Sequence, residues 1–98
     1  MNDIFDNIPE VNEEKKINRL VVKIAGSEYV LRGEDTVEHL HEVASMVDEK
    51  MQDLMKVYPH YNISRVAVLT AVQLADELIK MITQYSAIVA ELENLTDN

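Results

Sequence analysis

The chain has no cysteine, no tryptophan, a single phenylalanine, two glycines and two prolines in 98 residues. Without thiols there can be no disulfide, thiolate metal site or cysteine nucleophile. With only Gly26 and Gly33, no glycine-rich loop can wrap its backbone N–H groups around a phosphate. Ser27, Ser45, Ser64 and Ser86 lie in no nucleophile elbow. Positive charge is scarce as well: nine Lys and Arg stand against 18 Asp and Glu, a net charge of −9. Affinity for nucleic acid and for anionic membrane surfaces rests on basic groups, so neither is an expected partner. No apolar run reaches the roughly 18 residues that a bilayer span needs, and no basic-then-apolar leader opens the sequence. A soluble cytoplasmic protein is the expectation.

What titratable groups there are do not assemble into a site. His39 and His41 are two apart, where a metal pair on a helix needs spacing of three or four to share a face, and His60 stands alone. Asp48-Glu49 and Asp76-Glu77 are adjacent carboxylates, which diverge by about 100° on a helix and form no acid–base dyad. No catalytic residue, metal ligand, cofactor or small-molecule substrate is therefore expected, and an enzyme is not the reading.

The dominant feature is a stretch free of Pro and Gly from Ile63 to Leu95. Ala71, Leu74, Leu78, Met81, Tyr85, Ile88, Leu92 and Leu95 recur at alternating spacings of three and four, the a and d positions of a coiled-coil seam. Ala75, Ile82 and Val89 widen it at the e positions, which favours an assembly larger than a two-stranded coil. In its first half Val66, Val68, Leu69, Val72, Ala75, Ile79 and Ile82 add apolar surface on almost every side, as in a helix buried in a head. At 1.5 Å per residue such a helix runs about 50 Å, longer than a small domain is wide. The eight seam residues are thus the expected oligomer interface. A chain this short cannot bury a large core of its own, so an obligate oligomer is expected.

Upstream, residues 1–18 are acidic and polar and read as a disordered tail, with a partner-binding segment as the second reading because Ile4, Phe5, Ile8 and Val11 sit at helix-like spacing inside it. Arg19 to Arg32 alternates with period two and reads as a β-hairpin, its turn expected at Gly26-Ser27 with Gly supplying the positive φ of a type II′ turn. A lone hairpin is marginal, so a helix beneath it and a second subunit's hairpin beside it are expected. Asp35 or Thr36 can cap the next helix, with Glu38 a capping-box partner for Asp35. Leu40, Val43, Ala44, Val47, Met51, Leu54 and Met55 form its apolar stripe. It ends near Val57, because Pro59 disfavours helical geometry at Tyr58. Asn62 or Ser64 caps the long helix. The fold class is α+β: an N-terminal hairpin, one amphipathic helix, then a long helix continuing into a coiled coil. Residues 19–82 form the head and 83–98 the coiled-coil extension with a frayed end.

Three segments in this order, Ile24-Ala25-Gly26-Ser27-Glu28-Tyr29, Val43-Ala44-Ser45-Met46-Val47-Asp48-Glu49-Lys50-Met51 and Ser64 to Leu78, resemble the ZapA family of bacterial cell-division proteins. Gln73 stands where members commonly carry Asn. The resemblance implies a dimerising head, a coil that pairs dimers into tetramers, and cross-linking of protofilaments of the tubulin-like FtsZ at the mid-cell septum. An acidic face of FtsZ would meet exposed basic groups of the head, for which Lys50, Lys56 and Arg65 are the candidates. A second reading, independent of the family, is a dimerising adaptor or antitoxin-like module for a basic partner.

Overall fold

The computed structural model describes residues 16–96, so the tail expected over 1–18 lies, as far as residue 15, outside the described residues. The element order is β1 (Asn18–Ile24), β2 (Ser27–Gly33), α1 (Val37–Val57) and α2 (Ile63–Thr96). This is the α+β arrangement expected from the periodicities. The chain divides into two compact units, Met1–His60 and Tyr61–Asn98.

In the first unit, β1 and β2 pair antiparallel in the register Ile24↔Ser27, Val22↔Tyr29, Leu20↔Leu31 and Asn18↔Gly33. The alternation of β1 sends Leu20, Val22 and Ile24 to one face, where Val22 is buried and its neighbours half-buried. α1 lies against that strand and contributes Leu40, Ala44 and Met51 to the same small core. Leu40 also closes the far end of the hairpin: a Cβ at Gly33 would sit 3.6 Å from its Cδ2, ordinary packing distance. The remaining stripe residues are less covered than their spacing suggests, Val47 and Leu54 being half-buried and Val43 and Met55 exposed. The core is narrow because α1 covers β1 while Tyr29 and Val30 of β2 stay exposed.

The turn is displaced from its expected place. It is Ala25-Gly26 rather than Gly26-Ser27, since Ile24 pairs with Ser27. Both turn residues have positive φ, 51° at Ala25 and 87° at Gly26, the type I′ pattern rather than type II′. The I′ twist matches the right-handed twist of the strands, and the shift keeps Leu20, Val22 and Ile24 on the covered face. The cost falls on Ala25, because a left-handed conformation is unfavourable by about 1–2 kcal/mol for a residue with a Cβ. Gly26 has open space where a Cβ would be, so its dihedral alone favours glycine.

The helix ends follow local chemistry. Thr36 is the cap of α1, its Oγ1 accepting from the His39 N–H at 3.1 Å. That choice leaves Glu38 out of any capping box, since the residue three positions on is His39. Asn18 Nδ2 donates to the Asp35 carbonyl at 2.7 Å, tying the start of β1 to the approach to α1. At the other end Tyr58 leaves helical geometry at φ −123°, ψ 69°, just before Pro59, while its N–H still donates to Leu54 O.

The second unit is a single uninterrupted helix. Asn62 begins it, its Oδ1 accepting from the Arg65 N–H at 2.8 Å and its carbonyl accepting from the Val66 N–H. Burial is concentrated near its start: Val66 is fully buried, and Thr70 is buried with its hydroxyl donating back to Val66 O. Val68, Val72, Ile79 and Ile82, expected to be enclosed in a head, are all more than half exposed in the single chain. The helix shows no break near residue 82 where head and extension were expected to meet.

Candidate functional site: an uncovered helical seam and the head that carries it

Along α2 the residues Ala71, Leu74, Leu78, Met81, Tyr85, Ile88, Leu92 and Leu95 do share one face, because steps of three and four nearly close each turn of 3.6. Leu74 is half-buried and the others are exposed, with Leu78 at 57%, Tyr85 at 70% and Leu95 at 75%. Isolated surface leucines need no explanation, but a continuous apolar stripe of this length marks an interaction site. The polar residues keep off it. Asp76 and Lys80 pair with each other at 2.9 Å on the helix exterior, and that hydrogen bond, with the charge of Asp76, raises the Lys80 pKa.

The three basic residues expected to meet a partner are not gathered into one cluster. Lys50 and Lys56 are six apart on α1, which places them about 120° apart around the helix axis. Lys50 is half-buried on a flank, and Lys56 is exposed on the side away from the core. Lys56 borders an open depression of about 340 Å³ with Ala25, Gly26, Gln52 and Met55. Arg65 belongs to the second unit, where its guanidinium lies over the Tyr61 ring at 4.6 Å from the centroid.

The residue that composition and spacing missed is Asp48. Its Oδ1 accepts the Ala25 N–H at 2.8 Å and its Oδ2 accepts from Gln52 Nε2 at 2.9 Å. The carboxylate therefore pins the strained turn of the hairpin to α1, 23 residues away in sequence. These two bonds, the backbone one first, hold the Asp48 pKa below the usual carboxylate value. The Gln52 partner at i+4 was legible, but the bond to Ala25 depends on the displaced turn and had no local signal. Because the folded pKa is depressed, the contribution is present above the unfolded value of about 3.9 and is lost as pH falls through the folded one. Asp48→Asn is accordingly expected to flatten the fall of thermal stability between about pH 4 and pH 2 relative to the parent. Unchanged acid sensitivity in paired thermal scans would show that Asp48 does not latch the turn.

No group of three or more His, Cys, Asp or Glu among the described residues is placed to hold a metal ion. No helix among them is long and apolar enough to cross a membrane.

Comparison with known proteins agrees with this architecture. The family described as Cell division protein ZapA matches residues 20–98. A protein of that name from Halalkalibacterium halodurans is 41% identical over 68 residues, covering 69% of this chain and 75% of the relative. Another, from a Geobacillus species, is 33% identical over 84 residues, covering 86% of this chain and 97% of the relative. Among solved structures, a ZapA mutant dimer from Geobacillus stearothermophilus superposes with a TM-score of 0.67 at 32% identity, over 87% of this chain and 99% of that one. With a hairpin, an amphipathic helix and a long seam-bearing helix in the same order, this chain belongs to the ZapA family of cell division proteins.

Proposed function

We propose that the protein is a non-enzymatic cross-linker of the division filament: it self-associates through α2, binds FtsZ through its heads and bundles protofilaments into the septal ring. The observation that carries this reading is the uncovered seam from Ala71 to Leu95, set in a chain of the ZapA family. A rigid helix of about 50 Å is suited to hold two or more heads apart. Joining heads in this way turns individually weak contacts into avid ones, since the second contact forms at millimolar effective concentration. The seam serves as the interface of a homodimer, or of a homotetramer in which its e positions are also covered. Residues 19–82 act as the head and 83–98 as the extension. The cell site of this activity is the cytoplasmic face of the division septum. Lys50, Lys56 and Arg65 supply head charge toward an acidic FtsZ surface, with Lys56 exposed and Lys50 half-buried on α1.

The test is light scattering and co-sedimentation of polymerising FtsZ with the full chain. Lys50→Glu, Lys56→Glu and Arg65→Glu together are expected to reduce the FtsZ-bound fraction at least about tenfold, each charge reversal costing a rim contact of order 1 kcal/mol. Unchanged binding by the triple variant would remove these residues from the partner surface. Absence of any pelleting by the parent chain would remove the function itself.

A further inference from the structure

The sheet has only two strands, so the edge of β2 away from β1 carries backbone groups that the hairpin does not satisfy by itself. With Ala25-Gly26 as a two-residue loop, Ile24 and Ser27 form a hydrogen-bonded pair. Alternation gives the same to Val22↔Tyr29, Leu20↔Leu31 and Asn18↔Gly33. Glu28, Val30 and Arg32 therefore turn their N–H and C=O groups outward, and none of these groups has a backbone partner among the described residues. β2 is seven residues long, with no proline and no bulge, and Ser27 to Val30 are all exposed. A long, flat edge of this kind is a template for pairing with another strand.

The side chains determine which strand. Val30 is the midpoint of β2, and a second copy of β2 laid antiparallel about it brings every residue of the strand opposite another. Val30 then meets Val30, and Glu28 of each copy meets Arg32 of the other. These are the residues with outward backbone groups, so hydrogen bonds and opposite charges come into phase together. On the other face Tyr29, half exposed in the single chain, stands opposite Leu31 of the second copy. The pairing also relieves the hairpin. Arg32 lies directly opposite Arg19, an unfavourable like-charge pair, and Glu28 of the second copy flanks it on its other side. The edge of β1 behaves in the opposite way, since two copies paired about Val21 would set Arg19 against Lys23 at both ends. β1 repels its own copy and β2 attracts it. We propose that β2 is a self-complementary edge through which two heads join into one antiparallel sheet, β1-β2-β2-β1, about a two-fold axis at Val30. The surface is read from the hairpin alone, apart from the α2 seam and from FtsZ binding. It is small and weak on its own, and it closes between copies that the seam already holds at high effective concentration.

The experiment uses the full chain. Val30→Cys and Val21→Cys each introduce the only thiol, since the sequence has no cysteine. Across the axis Val30 faces its own copy with Cα atoms about 5.5 Å apart, within the range a disulfide spans. The two Val21 positions lie three strand spacings apart, about 14 Å, out of that range. On oxidation with diamide, Val30→Cys should form a disulfide-linked dimer at least about tenfold faster than Val21→Cys. Adding Arg32→Glu to each sets carboxylates against each other across the axis while giving Arg19 a partner within the hairpin. It should lower the ratio of the two rates about fivefold or more. Glu28→Arg together with Arg32→Glu exchanges the charges, restores opposite signs across the axis and should restore the ratio. Three results each overturn the proposal. One is equal rates at the two positions, which leaves the edge to a different strand. Another is a ratio that Arg32→Glu does not change, which excludes this register. The third is a charge-exchanged variant that stays slow, which places the effect of Arg32 within its own hairpin.

Discussion

Ile88→Asp combined with Leu92→Asp is expected to lower the molar mass of the protein in sedimentation equilibrium to the next smaller species, without loss of the hairpin or of α1. Both residues lie on the seam, four apart on one face, and both are more than half exposed in the single chain. Covering an Ile or Leu is worth about 1.5–3 kcal/mol. Losing two per chain therefore weakens association by at least about 3 kcal/mol, more than a hundredfold in Kd. Burying an unpaired carboxylate adds to that loss. Ser86→Asp, off the seam on the same helix, is the control and should leave the mass unchanged. Equal masses for the double variant and the parent would exclude the seam as the interface, and the cross-linking function would lose its means of joining heads. The same double variant should still bind FtsZ through the head but no longer raise light scattering, which separates binding from bundling.

The second large effect lies in the head. Leu40→Ala is expected to destabilise the first unit by about 2–5 kcal/mol, the usual range for a leucine removed from a packed site. Leu40 is only 7% exposed and lies in contact distance of Gly33, so a cavity there opens the end of the hairpin as well as the face of α1. At about 4–8 °C per kcal/mol for a domain of this size, the melting temperature should fall by roughly 10 °C or more. Parent and variant must be compared at equal protein concentration, because association contributes to apparent stability. Met46→Ala, at a residue 53% exposed on the same helix, should change stability by no more than about 0.5 kcal/mol. If Leu40→Ala melted with Met46→Ala, the small core described for the first unit would not be what holds it together.

Much of this architecture is legible without coordinates because it is local. A helix cap needs one oxygen and one N–H three residues on, so Thr36 and Asn62 stand among the candidates that the sequence offers. A helical face is a matter of spacing, so the eight residues of the α2 seam can be listed before the helix is seen. Period two marks both strands, and proline marks the end of α1. Where local rules tied, as between Asp35 and Thr36, the geometry of the approach to α1 chose.

What the sequence by itself determined, then, was the order and type of the elements, the seam along α2 and the likeness to the ZapA family. The tertiary structure alone decided where the hairpin turns and which residue holds the turn. A two-residue loop can sit at Ala25-Gly26 or at Gly26-Ser27, and glycine satisfies a positive φ in either. Only the packing of Val22 toward α1 settles the register, since slipping by one residue would send every β1 side chain to the opposite face. Once the turn is set, Ala25 takes its strained φ and its N–H falls within reach of Asp48. Exposure was likewise undecidable from pattern: apolar spacing says which residues share a face, and not what covers it. Among the described residues of the single chain nothing covers the seam from Leu78 to Leu95, and that is the surface through which we propose the protein self-associates.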